Sequence, residues 1–326
     1  MSAPHLDATV AGMRDAGIDL LVLGREANAR YVTGAERLWL AGTRPFAPGC
    51  VVVASTGAAH LLSITDVDVP AVVPRANLYP ISWNPMAILA NVAAIPGVAA
   101  AGRIGVDGMT PLFEMLLGTT FSDVEIVDGE LLLRGLRRVK SVDEVDAITA
   151  AGAAARDALA IVEQSLRDGV TERLLTAAYE GAMTAQGTTT PAFEPAFTVA
   201  EPDERRPRSF SSDRVIHDGD MVHVRAGVLL DGWEGTVATT LVCGTADPSA
   251  TDRIAAGHTA LDDVAAVCVP GASVGALRAH GGLAVGVEGV GLGHEALFDD
   301  DALAPGMVVA VEVLVDGILT GTTVAV

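Results

Sequence analysis

The dipeptide Asp231-Gly232 sits midway along an apolar stretch running from Asp220 to Cys243. An Asp-Gly pair between strand-forming residues is a strong hairpin signal, because both residues accept the positive φ of a tight turn. It commits this part of the chain to antiparallel pairing, and simpler signals set the order around it. Ser141-Val-Asp-Glu144 is a capping box that opens an Ala-rich helix to about Leu166. Thr171 caps a second helix to about Gln186. A Pro- and Arg-rich loop follows over Pro191–Arg208, then the hairpin. After it come a helix over Pro248–Cys268, a short helix near Ser273–His280, and strands to the end. Helices followed by mostly antiparallel strands predict an α+β domain.

The first part of the chain has another rhythm. Residues 4–17 show helical spacing at Leu6, Val10, Met13 and Ala16, with Gly17 as a stop. Ile18–Leu23, Gly49–Ala54, Ala59–Ile64 and Arg103–Val106 read as strands. Pro85–Ile95 and Thr110–Leu117 read as helices, and 129–138 as a connecting helix. This alternation predicts an α/β domain. A chain of 326 residues is long for one core. Two domains are therefore expected, 1–130 and 131–326.

Composition removes several classes of function. A formal net charge of −20 argues against nucleic acid, whose phosphates need basic clusters. Cys50, Cys243 and Cys268 are odd in number and widely spaced, so neither a disulfide framework nor a zinc site is read. Buried thiols in a reducing cytosol are the expectation. Apolar runs such as Gly49–Ala54 fall far short of the about 18–20 residues that span a membrane. The start of the chain carries Asp7 and no basic, apolar leader, so a cytoplasmic protein without membrane contact is expected. No Gly-x-Ser-x-Gly elbow occurs. The glycines of Gly289–Gly293 lack the strand-to-helix context of a phosphate loop.

Three stretches carry a family resemblance. Gly17-Ile-Asp-Leu-Leu-Val-Leu-Gly-Arg-Glu-Ala-Asn-Ala-Arg-Tyr-Val-Thr-Gly34 resembles an opening strand followed by an Asn-x-x-Tyr-x-Thr/Ser-Gly turn. Val139-Lys-Ser-Val-Asp-Glu-Val145 with Gly169-Val-Thr-Glu172 resembles the entry into two catalytic-domain helices. Leu303-Ala-Pro-Gly-Met-Val-Val-Ala-Val-Glu312 resembles a strand that brings in a metal-binding glutamate. In this order they resemble the creatinase / aminopeptidase P / prolidase family. The resemblance implies a creatinase-like α/β N-terminal domain, an α+β "pita-bread" catalytic domain, and a homodimer.

The family's metal site uses two Asp, one His and two Glu, a hard donor set suited to two divalent ions. Here Arg225 stands at the first Asp and Thr236 at the second. Glu288, opening the turn Glu288-Gly-Val-Gly291, or Val287 stands at the His. Only Glu312 remains in kind, and Gly321-Thr-Thr-Val324 replaces the final Glu-Asp-Thr-Val. A divalent ion about 4 Å from Arg225 would be repelled by more than the about 4 kcal/mol of a unit-charge pair at an effective dielectric of about 20. Arginine does not deprotonate to relieve this. No dinuclear centre and no cofactor are therefore expected.

The resemblance places His294 at a histidine that contacts substrate, and a histidine beside Glu295 suits acid or base chemistry near neutrality. Glu312 is either a proton-transfer group or the partner of Arg225 in a salt bridge. Arg225 in turn grips a ligand carboxylate or only fills the vacated site. Arg208, His223, Glu288 and Trp233 complete the candidate substrate contacts. His223 is included because residues i and i+2 of a strand share a face. Arg208 is either a ligand contact or part of a solvated loop, and Trp233 either rims the pocket or sits in the core. The leading expectation is a metal-independent enzyme on a small carboxylate- or amide-bearing molecule, by hydrolysis, elimination or cyclisation. Creatinase sets the precedent, although it carries a Glu near Ala238, where this chain has Thr236-Val-Ala-Thr-Thr240. The alternatives are a catalytically silent binding module and a divergent Xaa-Pro aminopeptidase or prolidase.

Overall fold

The computed structural model describes residues 5–35, 48–63, 69–82, 84–108, 110–201 and 206–326, with His294 described by its backbone alone. Pro4, Ile64, Glu204 and Arg205, which belong to predicted segments above, lie outside the described residues. The chain forms two compact units, Met1–Arg137 and Arg138–Val326.

The first unit begins with α1 (Leu6–Asp15), β1 (Leu20–Leu23) and α2 (Glu26–Thr33). β2 (Cys50–Val53), β3 (Ala58–Ser63), β4 (Leu78–Pro80), α3 (Pro85–Ala93) and β5 (Arg103–Val106) follow. It ends with α4 (Pro111–Thr120), β6 (Glu125–Asp128) and α5 (Glu130–Arg138). Six strands form one mixed sheet in the order β4-β3-β2-β1-β5-β6, with β1, β5 and β6 parallel. Strands β1 and β2 are buried along their whole length, which is why they read as unbroken apolar runs. Helix α2 is a correction: the Asn-x-x-Tyr-x-Thr-Gly segment, expected as a turn, is a helix closed by Gly34 at φ 71°.

In the second unit the capping box forms as read. Ser141 Oγ accepts from Glu144 N, and the Glu144 carboxylate accepts from Ser141 N. It starts α6 (Val142–Glu163), and Thr171 caps α7 (Glu172–Ala185). β7 (Ala196–Val199) lies within the segment expected to be loop. β8 (Met221–Leu230) and β9 (Trp233–Val242) form the hairpin, with Asp231 and Gly232 both at positive φ. α8 (Pro248–Ala266), α9 (Val274–Arg278), β10 (Ala284–Gly291), β11 (Gly293–Glu295), β12 (Val308–Val315) and β13 (Ile318–Ala325) complete it. Glu288–Gly291, expected as a turn, is strand, and the chain reverses one step later around Leu292.

Two antiparallel sheets result, β7-β8-β9 and β11-β10-β12-β13. Helix α6 packs on β8 and β9, and α8 on β12 and β13. The two sheets are stitched where Thr240 Oγ1 donates to Leu319 O and accepts from Leu319 N. Leu261, Val264, Val287, Val309, Val311 and Val313 form the core under α8. All three cysteines are buried and free. Among the described residues no helix is long and apolar enough to cross a membrane.

Candidate active site

Opposite residues of an antiparallel pair share a face. Arg225 pairs with Ala238, Gly227 with Thr236 and Leu229 with Glu234. Arg225, Thr236 and Glu234 therefore project from one side of the hairpin. Across from them, Glu312 on β12 has Gly286 and Gly321 as its two cross-strand neighbours. Two side-chain-free neighbours leave a hollow around the carboxylate. The hollow is a cleft with two adjoining lobes of about 690 and 410 Å³. Arg225, Glu288, Glu312, Gly286 and Ser209 line both lobes. Arg206 and Arg278 add charge to the larger lobe; Phe193, Phe210 and Glu234 shape the smaller.

Arg225 and Glu312 form an ion pair in this cleft. Arg225 Nε lies 3.0 Å from Glu312 Oε2 and 3.2 Å from Oε1. The guanidinium also stands 6.0 Å from the Phe193 ring centroid, within cation–π reach. Its side chain is 41% exposed, and its two terminal NH2 groups donate to no described residue. Arg278 is fully committed, donating to Glu288, Asp299 and the carbonyls of Val287 and Leu297. Glu288 thus lines the cleft already paired.

Three candidates sit elsewhere. Arg208 is a correction: it donates to Glu172, a fully buried carboxylate that also accepts from Val199 N and from Ser212 N and Oγ. Burial alone would raise the Glu172 carboxyl, but the bonds from Arg208, Val199 and Ser212 outweigh it and hold it below its ordinary value. Arg208 therefore anchors the loop, while Arg206, two residues earlier, faces the cleft. His223 shares a face with Arg225, but Gly317 covers it. Its Nε2 lies 2.8 Å from Gly317 O, and the residue is buried. Trp233 is also buried, bridging to Leu292 rather than facing the cleft. The His294 side chain lies outside the described residues; its backbone pairs with Val290.

The sequence places Glu234 with Trp233 at the hairpin bend, where the family resemblance puts the pocket, and assigns it no chemical role. The residue is 4% exposed, borders the smaller lobe, and its Oε2 has no hydrogen-bond partner. Burial first, and the neighbouring Glu295 carboxylate second, push its carboxyl up to about 7. Glu295 is itself held by Lys140 at 2.5 Å, and both are buried. Room for this pair comes from Gly289 and Gly291. A Cβ on Gly291 would stand 2.1 Å from Glu295 Oε1, and one on Gly289 2.9 Å from Glu295 Cβ. The glycine-rich run is the bed of a buried ion pair.

Similarity to known proteins fits this architecture. The profile described as "Metallopeptidase family M24" matches residues 146–324, more than half of the chain. The chain belongs to metallopeptidase family M24. The profile "Creatinase/Prolidase N-terminal domain" matches residues 6–139. A creatinase-type N-terminal domain thus precedes an M24 pita-bread domain. The chain is 23% identical to a Xaa-Pro dipeptidase of Pyrococcus horikoshii over 317 residues, covering 90% of this chain and 85% of that protein. The crystal structure of the prolidase from Pyrococcus horikoshii superposes with a TM-score of 0.78 at 19% identity, covering 98% of this chain and 95% of that one. That of dipeptidase PepE from Mycobacterium ulcerans gives 0.68 at 24%, covering 98% and 92%. At these identities the two structures establish the fold.

Membership in a metallopeptidase family implies a metal centre, and the residues present do not fit a dinuclear one. Arg225 holds both oxygens of Glu312, the one carboxylate that matches a family ligand. Where the second ligand glutamate would stand, Gly321 has no room for a side chain. A Cβ there would lie 2.9 Å from Ala238 Cβ and 2.9 Å from Val311 O. Among the described residues no group of three or more His, Cys, Asp or Glu is arranged to hold a metal ion.

Proposed function

We propose that this protein is a hydrolase-type enzyme acting on a small amide- and carboxylate-bearing molecule, using side-chain acid/base chemistry without a dinuclear metal centre. The carrying observation is the Arg225–Glu312 pair at the meeting of the two lobes. Arg225 spends only Nε on Glu312, so its outer NH2 edge is free to clamp a ligand carboxylate. Arg206 lines the same larger lobe. Glu312, oriented by Arg225, is the group that accepts a proton from an attacking water or from the ligand. His294 enters this reading from the sequence alone, as a second proton carrier. The broad likeness to a Xaa-Pro dipeptidase supports an amide bond next to a carboxylate and keeps one second reading alive, a divergent dipeptidase.

The test is turnover of Xaa-Pro dipeptides and N-acyl amino acids by EDTA-treated protein, with and without added Mn²⁺. Turnover should survive EDTA and fall by about 10²–10⁴-fold in Glu312→Gln, the usual weight of a general base. Activity that appears only with Mn²⁺ would favour the dipeptidase reading. Carboxylate binding without turnover would leave a binding module.

A further inference from the structure

Glu234 is the one buried acid of the cleft that the reaction above does not use. Hydrophobic burial alone does not explain it, because an unpaired carboxylate in such a place is costly and a core position would favour an apolar residue. The groups around it are specific. From β11, Glu295 faces it with its charge already bound by Lys140. Helix α6 meets β9 through the backbone of Ala151 and Gly152, against Gly235. Strand β13 meets it through Thr240 and Leu319, which carry no charge. Arg225 of β8, Glu288 of β10 and Glu312 of β12 share the cleft lining and are engaged in ion pairs, while Glu194 lines the smaller lobe from its exposed rim. Among the described residues no cation shifts Glu234; the residue borders the lobe, and its Oε2 is buried without a hydrogen-bond partner.

We infer that Glu234 stands in the smaller lobe as an uncharged carboxylic acid, donating a hydrogen bond to a neutral acceptor, a carbonyl or amide oxygen, of the bound molecule. This rests on the reading that the cleft holds a small ligand. It divides the labour along the cleft: Arg225 and Arg206 take the anionic end, and Glu234 takes the carbonyl between Phe193 and Phe210. Glu194, exposed on the same lobe, leaves room for a charge beside that carbonyl.

Two measurements test it on the intact chain. In protein with ¹³C-labelled glutamate, one side-chain carboxyl should titrate near pH 7, and that signal should vanish in Glu234→Gln. The second uses benzamide, a neutral acceptor on an aromatic ring. At pH 6 benzamide should perturb cleft resonances. Benzamide affinity should fall about tenfold by pH 9 in the wild type, the weight of one hydrogen bond. It should stay flat with pH in Glu234→Gln, which keeps a neutral NH2 donor. The inference is overturned if every glutamate titrates below about pH 5.5. It is equally overturned if benzamide does not bind the cleft, or if its affinity keeps the same pH dependence in Glu234→Gln. The titration reads out in a protein that turns nothing over, so failure here and failure of the enzyme reading are separate results.

Discussion

Two buried glutamates show how neighbours decide a carboxyl's state. Glu172 is fully buried yet ionised, because Arg208, Ser212 and the Val199 amide all donate to it. Glu234 is nearly as buried but faces Glu295 and finds no donor for Oε2. Its carboxyl rises from the ordinary 4.5 to about 7. The linkage has a definite sign. Between about pH 4.5 and 7 the unfolded chain has released this proton and the folded chain holds it, so stability falls as pH rises through that window. The loss is on the order of 3 kcal/mol for one such group. Urea midpoints should therefore decline from pH 4.5 to pH 7.5 more steeply in the wild type than in Glu234→Gln. Parallel slopes would show that Glu234 ionises normally. The residue's position beside Asp231-Gly232 marks the pocket but not the charge state. That state is set by burial and then by Glu295 of β11, about sixty residues downstream. Arg225 and Glu312 were legible because the family pattern marks their positions. That they pair with each other needed the 3.0 Å contact.

At the level of elements, local signals carried the hairpin and both capped helices. The turn residues and Ser141, Glu144 and Thr171 act within a few positions of themselves. Strand β7 was not legible, because its four buried residues are paired to β8 across a long loop and sit among prolines and arginines. The same holds for Gly235. Nothing nearby in sequence marks it, yet it is the point where β9 touches helix α6. A Cβ there would stand 2.0–2.3 Å from the backbone of Ala151 and Gly152. Backbone cannot rotate aside as a side chain can, so helix and hairpin must separate. Gly235→Ala should destabilise the protein by about 3 kcal/mol or more, at the upper end of overpacking costs. A chemical denaturation midpoint within error of the wild type would mean that the helix slides freely on the sheet. Since Glu234 and Thr236 flank this glycine, a shifted helix should also loosen the cleft.

The whole molecule is a peptidase-family architecture whose cleft carries Arg225 and Glu312 as an ion pair. Its two-part organisation followed from the change between alternating and segregated elements, a signal that long segments carry well. The residues that do not fit a dinuclear centre are a few positions spread from residue 225 to 321, with a cation at Arg225 and a lack of space at Gly321. Restoring one ligand should therefore not restore the site. In calorimetric titration with Mn²⁺, wild type and Arg225→Asp should both bind more weakly than about 1 mM. The single exchange adds a carboxylate near Glu312 but leaves Thr236 and Gly321 unable to contribute a second. Carboxylate ligands should lose affinity in Arg225→Asp by about 1.5–3 kcal/mol, the weight of a hydrogen bond to a charged group. Micromolar Mn²⁺ binding by the wild type, lost in Glu312→Ala, would mean that Arg225 swings away to admit the ion. The arginine would then be a gate on a metal site rather than its replacement.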